Sequence, residues 1–342
     1  MAQKQWATDE HRFAPIRCLL PLCSSVFIWG PLFLLATAAL LRADERTQRL
    51  AERLAEEARA FERIAPQVLG EETLHQRALR PPPRFRPRIG NSAKEAPKAA
   101  WQQRAIVSEY SFATFAGEDH AIHELRQVIS VDGKHIQDAK SAQQSLAKAV
   151  TASNDERKKQ LLKDFEKHGL FGAVTDFGQL ILLFSAREIG RYEFAYQRSE
   201  RRGAANMLVF SYQQIDGPEA LTLVEARKND ALRRLPIRGE VWVWEASYQP
   251  LKITMTGAQG EGAASVREEA VVEYSMSDYG ALLPVTTEHR ELRGGKVEAE
   301  NMFAYTEFKK FGASSDIKFE AEPGEAPAGK RETPPAKPGP QP

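Results

Sequence analysis

Three segments between Arg238 and Lys310 decide the fold: RGEVWVWEASYQPLKITMTG (238–257), VREEAVVEYSM (266–276) and ALLPVTTEHRELRGGKVEAENMFAYTEFKK (281–310). From Leu251 to Met255 every second residue is apolar and the residues between are polar, and strand side chains alternate between faces with this period. Pro250 marks one turn, and Gly294 with Gly295 permits the positive φ of a tight hairpin. The stretch therefore predicts five consecutive antiparallel strands with one apolar face.

Composition excludes several classes of function. The chain has 342 residues, 42% of them apolar, which is enough for a substantial core. Its 47 basic and 46 acidic side chains give a net charge of +1, so charge gives no argument for nucleic-acid binding. Both cysteines, Cys18 and Cys23, lie near the N-terminus. The rest of the chain can therefore form neither a disulfide framework nor a cysteine-based metal site.

The N-terminal segment carries an export signal. Residues 18–41 contain no charged side chain and form a segment long enough to span a bilayer. Basic residues precede this segment. A cleaved signal peptide and a retained membrane anchor both fit this pattern. The small residues Ala36 and Ala38 favour cleavage after Ala38, and Ala43 is a second candidate site. Either reading of residues 1–41 places the body outside the cytoplasm, in the periplasm or cell envelope.

The remaining chain divides into four regions. Residues 42–80 are predicted to be an amphipathic helical segment, because Leu50, Leu54, Ala58, Phe61 and Ile64 recur at steps of three and four residues. Residues 81–100 are rich in proline and basic residues, which indicates an extended linker. Residues 101–320 form the main domain, with a helical insertion at 136–186. Residues 321–342 contain few apolar residues and are expected to be disordered.

The predicted fold class is α+β. Two strands precede the helical insertion and about eight follow it, in a curved antiparallel sheet that forms an open half-barrel. The inserted helices are expected to cover the apolar face, and a helix over Phe177–Phe184 (FGQLILLF) is predicted to be its lid because it is apolar nearly all round.

The sequence lacks catalytic and metal-binding motifs. The sequence contains no GxSxG, HExxH or GxxxxGK motif, and no GxGxxG motif that follows a predicted strand. His120 and His123 lie three apart on a predicted strand, so they face opposite sides and do not share a metal without a bulge. Glu268 and Glu269 are adjacent and fail as an acid/base pair for the same reason. We therefore expect no enzyme activity, no metal and no cofactor.

The candidate binding residues are apolar and aromatic. Strand aromatics are ordinarily core residues, but a sheet of about ten strands with little helix to cover it leaves room for an apolar cavity. The predicted cavity and lid residues are Phe177, Leu180, Ile181, Phe184, Trp242, Trp244, Phe303 and Tyr305. Core and pocket wall remain alternative readings of these side chains.

The segments GEVWVWEASYQPLKITMT, YGALLPVTTEH and AENMFAYTEFKKF resemble the strands of the periplasmic lipoprotein carrier and sorting superfamily, which includes LolA, LolB and RseB-like proteins. The resemblance covers roughly residues 100–320. It implies an open half-barrel lidded by helices that binds acyl chains in its concavity. Residues 42–100 are an addition to that pattern, and no arginine here matches the carriers' functional one.

Two functions follow as expectations. The first is an extracytoplasmic binding protein that holds a lipid or a lipoprotein acyl chain in a half-barrel cavity. The alternative is an envelope protein-interaction module whose core is filled by its own side chains and which docks an envelope protein. An uncleaved N-terminal segment would add the membrane as a partner, and nucleic acid is not expected.

Overall fold

The computed structural model describes residues 30–80, 99–116, 121–170, 176–215, 222–223 and 233–311. In chain order, the helices and strands are α1 (Gly30–Ile64), β1 (Val68–Arg80), β2 (Ala100–Thr114), β3 (Ile122–Val131), β4 (Lys134–His135), α2 (Ala139–Thr151), α3 (Glu156–His168), β5 (Tyr192–Arg202), β6 (Ala205–Gln214), β7 (Thr222–Leu223), β8 (Arg233–Arg234), β9 (Ile237–Trp244), β10 (Pro250–Gln259), β11 (Val266–Met276), β12 (Leu282–Arg293) and β13 (Lys296–Lys310). The predicted tail and nearly all of the predicted linker lie outside these residues, as do residues 1–29 of the predicted export signal.

Eleven strands form one curved antiparallel sheet that does not close into a barrel, in the order β4-β3-β2-β1-β13-β12-β11-β10-β9-β6-β5. The predicted α+β half-barrel is therefore confirmed. The five strands read from residues 238–310 are β9 to β13, each paired with the next in sequence. Positive φ at Gly294 and Gly295 forms the last hairpin, and positive φ at Asp132 and Gly133 forms the turn from β3 to β4.

The first strand corrects the sequence reading of residues 42–80. α1 ends at Ile64, and residues 68–80 form β1 instead of a second helical piece. β1 pairs with β2 on one side and with β13 on the other, so the sheet begins at Val68, well before the predicted domain boundary at 101. The inward positions of β1 include Glu72 and Gln76, and these polar residues hide the alternation that would have indicated a strand.

We call the side of the sheet that α1 covers the concave face and the other side the outer face. The main apolar core lies on the concave face and runs from β3 to β5. The amphipathic reading of α1 is confirmed, because Leu50, Leu54, Ala58 and Phe61 are all completely buried in this core. The outer face has a smaller core under α2, against β2 and β3.

The helical insertion is confirmed for α2 and α3, but not for the predicted lid helix. Residues Leu180–Phe184 form one short 3-10 turn, and Phe177 precedes it in a non-helical segment. We call residues 176–184 the lid segment. A longer helix would project apolar side chains in all directions, whereas this compact turn places Leu180, Ile181, Leu183 and Phe184 in buried positions.

Candidate functional site

The concave face brings six of the eight predicted binding residues together. Phe177, Leu180, Ile181 and Phe184 of the lid segment lie in the same buried core as Phe303 and Tyr305 of β13. Each of the six is at most 5% exposed. These six side chains therefore lie in one buried core, and their role as cavity wall and lid stays a prediction.

The two tryptophans lie on the other side of the sheet. Trp242 and Trp244 belong to a small outer-face cluster with Met207 and Val209. Nζ of Lys252 lies 3.5 Å from the centroid of the Trp242 ring. Ile237, Val241 and Val243 lie in the concave-face core. Side chains alternate between the two faces of a strand, so the even-numbered residues of β9 point outward. Trp242 and Trp244 therefore do not share a site with Phe303 and Tyr305, and the prediction that grouped them is wrong on this point.

Aromatic side chains form one wall of the concave face. The Phe184 ring packs edge-on against Tyr212 at 4.9 Å and against Tyr192 at 5.5 Å between centroids. The Tyr212 ring crosses β9 above Gly239, and its hydroxyl donates to the Thr254 carbonyl at 2.7 Å. A Cβ on residue 239 would lie 1.9 Å from that carbonyl oxygen, so only glycine fits here.

α1 closes this wall from above. Its buried side chains pack on the lid segment, β5 and β12, and the Phe61 ring lies 5.0 Å from Phe112 of β2. The guanidinium groups of Arg46 and Arg49 lie over the rings of Tyr196 and Tyr248, at 5.0 and 4.7 Å. α1 therefore packs on this face of the sheet as an amphipathic helix packs on an apolar surface.

The opposite wall is polar and was missed by sequence reasoning. Arg126 of β3 donates to both carboxylate oxygens of Glu72 with Nε, at 2.7 and 2.9 Å. Its Nη2 donates to Glu72 at 2.7 Å and to Glu124 at 2.6 Å. All three side chains are at most 1% exposed. Two carboxylates thus share one guanidinium inside the core.

The surroundings of this cluster shift its proton affinities. Burial raises the pKa of Glu72, and the nearby Arg126 only partly opposes that rise. Burial alone would lower the pKa of Arg126, but Glu72 and Glu124 hold it well above its usual range. Burial also raises the pKa of Tyr110 and Tyr305 well above the usual value, so both stay neutral.

Glu124 connects the polar wall to the lid segment. Its carboxylate accepts from the backbone N–H of Asp176 at 2.9 Å and from that of Gly178 at 2.7 Å. The Asp176 carboxylate accepts in return from the backbone N–H of Glu124 at 2.8 Å. The Tyr274 hydroxyl donates to the Gly178 carbonyl and accepts from the Ile181 N–H, each at 3.0 Å. The lid segment is thus held by polar contacts at one end and by aromatic packing at the other.

A buried histidine lies beside this wall. The Nε2 atom of His289 lies 2.6 Å from Glu268, and its Nδ1 atom lies 3.0 Å from the amide nitrogen of Asn301. An amide nitrogen only donates, so Nδ1 accepts from Asn301. The proton of the ring is then on Nε2, which donates a hydrogen bond to Glu268. The Phe177 ring stacks on the imidazole at 4.4 Å. Both ring nitrogens are engaged, which favours a structural role over proton transfer to a ligand.

The polar wall left a partial signal in the sequence. Glu124 and Arg126 stand two apart in HELRQV, so they share a face of β3, but charged residues that alternate with Leu125 ordinarily indicate the solvent-facing side of a strand. Their partner Glu72 lies in residues 42–80, which were predicted to be helical, so its pairing with β3 was not predicted.

The residues that the structure describes contain neither a metal-binding group nor a membrane-spanning helix. There, no group of three or more His, Cys, Asp and Glu side chains is arranged to hold a metal ion. His120 of the candidate pair lies outside these residues. Within the same ranges, no helix is long and apolar enough to cross a membrane.

Three solved structures are similar to this chain. A LolA superfamily protein from Nitrosomonas europaea matches with 12% identity and a TM-score of 0.30, over 78% of this chain and 95% of that one. A putative outer membrane lipoprotein-sorting protein domain from Vibrio parahaemolyticus matches with 13% identity and a TM-score of 0.30, over 79% and 97%. A DUF1329 family protein from Desulfovibrio piger matches with 10% identity and a TM-score of 0.32, over 79% and 95%.

No protein-family model matches the chain, and no curated protein is significantly similar to it. The first solved structure belongs to the superfamily that the sequence resembles, but its likeness to this chain is weak. The half-barrel assignment rests on the strand order of the sheet itself.

Proposed function

We propose that this protein is an extracytoplasmic binding protein for an apolar chain, a lipid or a lipoprotein acyl chain, and that it is not an enzyme. The observation that supports this most is the cover of the concave face, which is a separate amphipathic helix lying on a continuous apolar surface. The sequence resemblance to lipoprotein carriers points to the same class of ligand. In this proposal the ligand binds where α1 now lies.

The energies make such an exchange feasible. Among residues 45–64, whose side chains the structure describes, the large apolar side chains that α1 buries are Leu50, Leu54, Phe61 and Ile64. At about 1.5–3 kcal/mol each, their burial contributes roughly 6–12 kcal/mol. A sixteen-carbon acyl chain, at about 0.8 kcal/mol per methylene, recovers about 12 kcal/mol on the same surface. An acyl chain can therefore compensate for the loss of α1 from the concave face.

The test measures ligand binding with α1 weakened. Leu54→Ala leaves a void under α1 and is expected to tighten binding of a fluorescent fatty acid by roughly tenfold, because the competing helix packs less well. Arg59→Ala, on the exposed side of α1, and Trp242→Ala, on the outer face, are matched controls and should leave affinity unchanged. Lipid extraction and native mass spectrometry of the purified full chain should show a bound lipid. An empty protein that ignores the probe with and without Leu54→Ala rules the proposal out.

A second function is favoured by one observation. Leu50, Leu54, Phe61 and Ile64 of α1 are at most 5% exposed, so this part of the concave face is already filled by the protein's own residues. This fits an envelope protein-interaction module with a self-filled core, in which the exposed side of α1 docks a partner. Deleting residues 42–80 is not a usable test, because that would remove β1 from the interior of the sheet. Absence of lipid and of hydrophobic-dye binding, with an intact fold, supports this alternative.

A further inference from the structure

The buried carboxylate of Glu124 joins β3 to the backbone of the lid segment, and the Asp176 carboxylate adds contacts with β3 in return. Oε1 of Glu124 accepts from Gly178, and Oε2 accepts from Asp176 and from Arg126. The approach is close, because a Cβ on residue 178 would lie 2.6 Å from Oε1. Asp176 adopts a positive φ of 73°, which turns its backbone N–H toward the carboxylate. The lid segment is therefore shaped to fit an ionised Glu124.

Charge balance makes this contact sensitive to protons. Glu72 and Glu124 carry two negative charges against the single positive charge of Arg126, and all three are shielded from water. The titratable groups that face Glu124 from the elements around it are Arg126 and His123 of β3, Glu72 of β1, Tyr110 of β2, Tyr274 of β11, Tyr305 of β13 and Asp176 of the lid segment. Burial keeps the three tyrosines neutral, so acidification acts on the carboxylates and the histidine of this set.

We propose that Glu124 is the latch of the lid segment and that proton uptake by the Glu72–Glu124 pair releases the lid segment from the concave face. The latch can be measured without any ligand. Its purpose, admission of an apolar chain, rests on the function proposed above.

Protonation weakens the latch because hydrogen bonds to a carboxylate are about twice as strong as those to a neutral group. Burial raises the pKa of Glu72, so the carboxyl that shares the Arg126 guanidinium with Glu124 takes up a proton at higher pH than an exposed glutamate does. His123 acts in the opposite direction, since its protonated ring would strengthen the 3.2 Å contact with Asp176. Release on acidification therefore cannot come from His123.

Amide hydrogen exchange tests the latch directly. We expect protection of the Gly178 and Ile181 N–H groups to fall at least tenfold between pH 8 and pH 5, after correction for intrinsic exchange. Residues 237–259 of β9 and β10 should stay protected over the same range. Protection of the lid segment that does not depend on pH overturns the proposal.

Three variants sharpen the result. Glu124→Gln should leave the lid segment unprotected at both pH values, while Arg126 and Glu72 remain a neutral pair that preserves the fold. In Glu72→Gln, Glu124 is the only one of the two carboxylates that still pairs with Arg126. The pH at which the lid-segment N–H groups lose protection should therefore be lower. Glu288→Gln, on an exposed position of β12, is the control and should match the unmodified protein. If Glu124→Gln fails to fold, the pH profiles of the unmodified protein and of Glu72→Gln still decide, and an unshifted profile overturns the latch.

The latch and the proposed function can fail separately. Protection that falls with pH in a protein that binds no lipid or fatty acid supports the latch and rejects the ligand. Binding of fatty acid with pH-independent protection of the lid segment supports the ligand and rejects the latch.

Discussion

The two faces of the sheet carry the same alternating pattern of side chains but differ in what covers them. The concave face is covered by α1 and the lid segment, and even charged residues such as Arg126 are buried there. The outer face is covered mainly at β2 and β3, and elsewhere it exposes residues such as Met302, 56% accessible, and Val285. The elements that cover each face therefore decide how deeply a side chain is buried and how much its removal lowers the free energy of unfolding. Four predictions test this contrast.

The largest effect is expected at Arg126. Arg126→Met leaves Glu72 and Glu124 buried without a counter-charge, which costs about 3–5 kcal/mol of unfolding free energy in urea denaturation at pH 8. The loss should be smaller at pH 5, since both carboxyls then become neutral more easily in the folded state. Arg290→Met, at a half-exposed position of β12, is the control and should cost less than 0.5 kcal/mol. Equal losses at the two positions would contradict the contrast between the faces.

The next effect concerns the aromatic wall. Phe184 is completely buried against Tyr192, Phe194 and Tyr212, so Phe184→Ala should cost about 3–4 kcal/mol through lost burial and a residual cavity. No charge is involved, and the loss should be the same at pH 5 and pH 8 in the same denaturation experiment. Met302→Ala on the outer face is the control, with a change within about 0.5 kcal/mol. A pH-dependent loss at Phe184 would show that the two walls are energetically coupled.

A smaller effect is expected at Glu109, which lies on the outer face of β2 opposite Glu71 of β1. Burial, followed by the charge of Glu71, raises the pKa of Glu109 from 4.5 to about 7. Because the folded-state pKa is the higher one, the unfolded chain loses this proton first, and stability falls as the pH rises from about 4.5 to 7. Glu109→Gln should therefore stabilise the protein by about 1–2 kcal/mol at pH 8, after allowance for solvent screening, and by nothing at pH 4.

The matched control for Glu109 is Glu288→Gln, which removes an exposed outer-face carboxylate and should change stability at neither pH. Thermal unfolding at both pH values measures the difference. A gain at pH 4 equal to that at pH 8 would assign the effect to packing instead of charge.

The smallest effect is expected at the outer-face tryptophan. Lys252→Met keeps the apolar stem and removes the ammonium group from the Trp242 ring, which should cost about 0.5–1 kcal/mol. Lys296→Met, at an exposed position of the last hairpin, is the control. Urea denaturation of the two variants gives the comparison, and a loss above 2 kcal/mol would mean that Trp242 belongs to the core after all.

The sequence predicted those parts of the site whose chemistry follows the local pattern. Phe303 and Tyr305 alternate with polar residues on β13, so their inward direction was readable, and the apolar run over Leu180–Phe184 identified the lid segment. The alternation on β9 equally placed Trp242 and Trp244 on one face, but it could not tell which face would be covered. The choice of face depends on where α1 packs, and no local pattern contains that information.

The polar wall shows the limit of sequence reasoning more clearly. Hydropathy identifies a strand only when the inward residues are apolar, and β1 places Glu72 and Gln76 inward. These residues are tolerated there because Arg126, two strands away in the sheet order, and the backbone N–H of Leu170 provide their partners. Such partners come from remote parts of the chain, so the burial of a charge is decided only when the strands assemble.

The sequence by itself determined the strands β9 to β13, the amphipathic character of α1 and the antiparallel half-barrel, because period-two and period-3.6 patterns are local properties of the chain. The tertiary structure alone decided that β1 inserts between β2 and β13, that α1 fills the concave face, and that Glu72, Glu124 and Arg126 meet beneath the lid segment. Those features join residues from distant segments, and their stability comes from burial and charge pairing that exist only in the folded sheet.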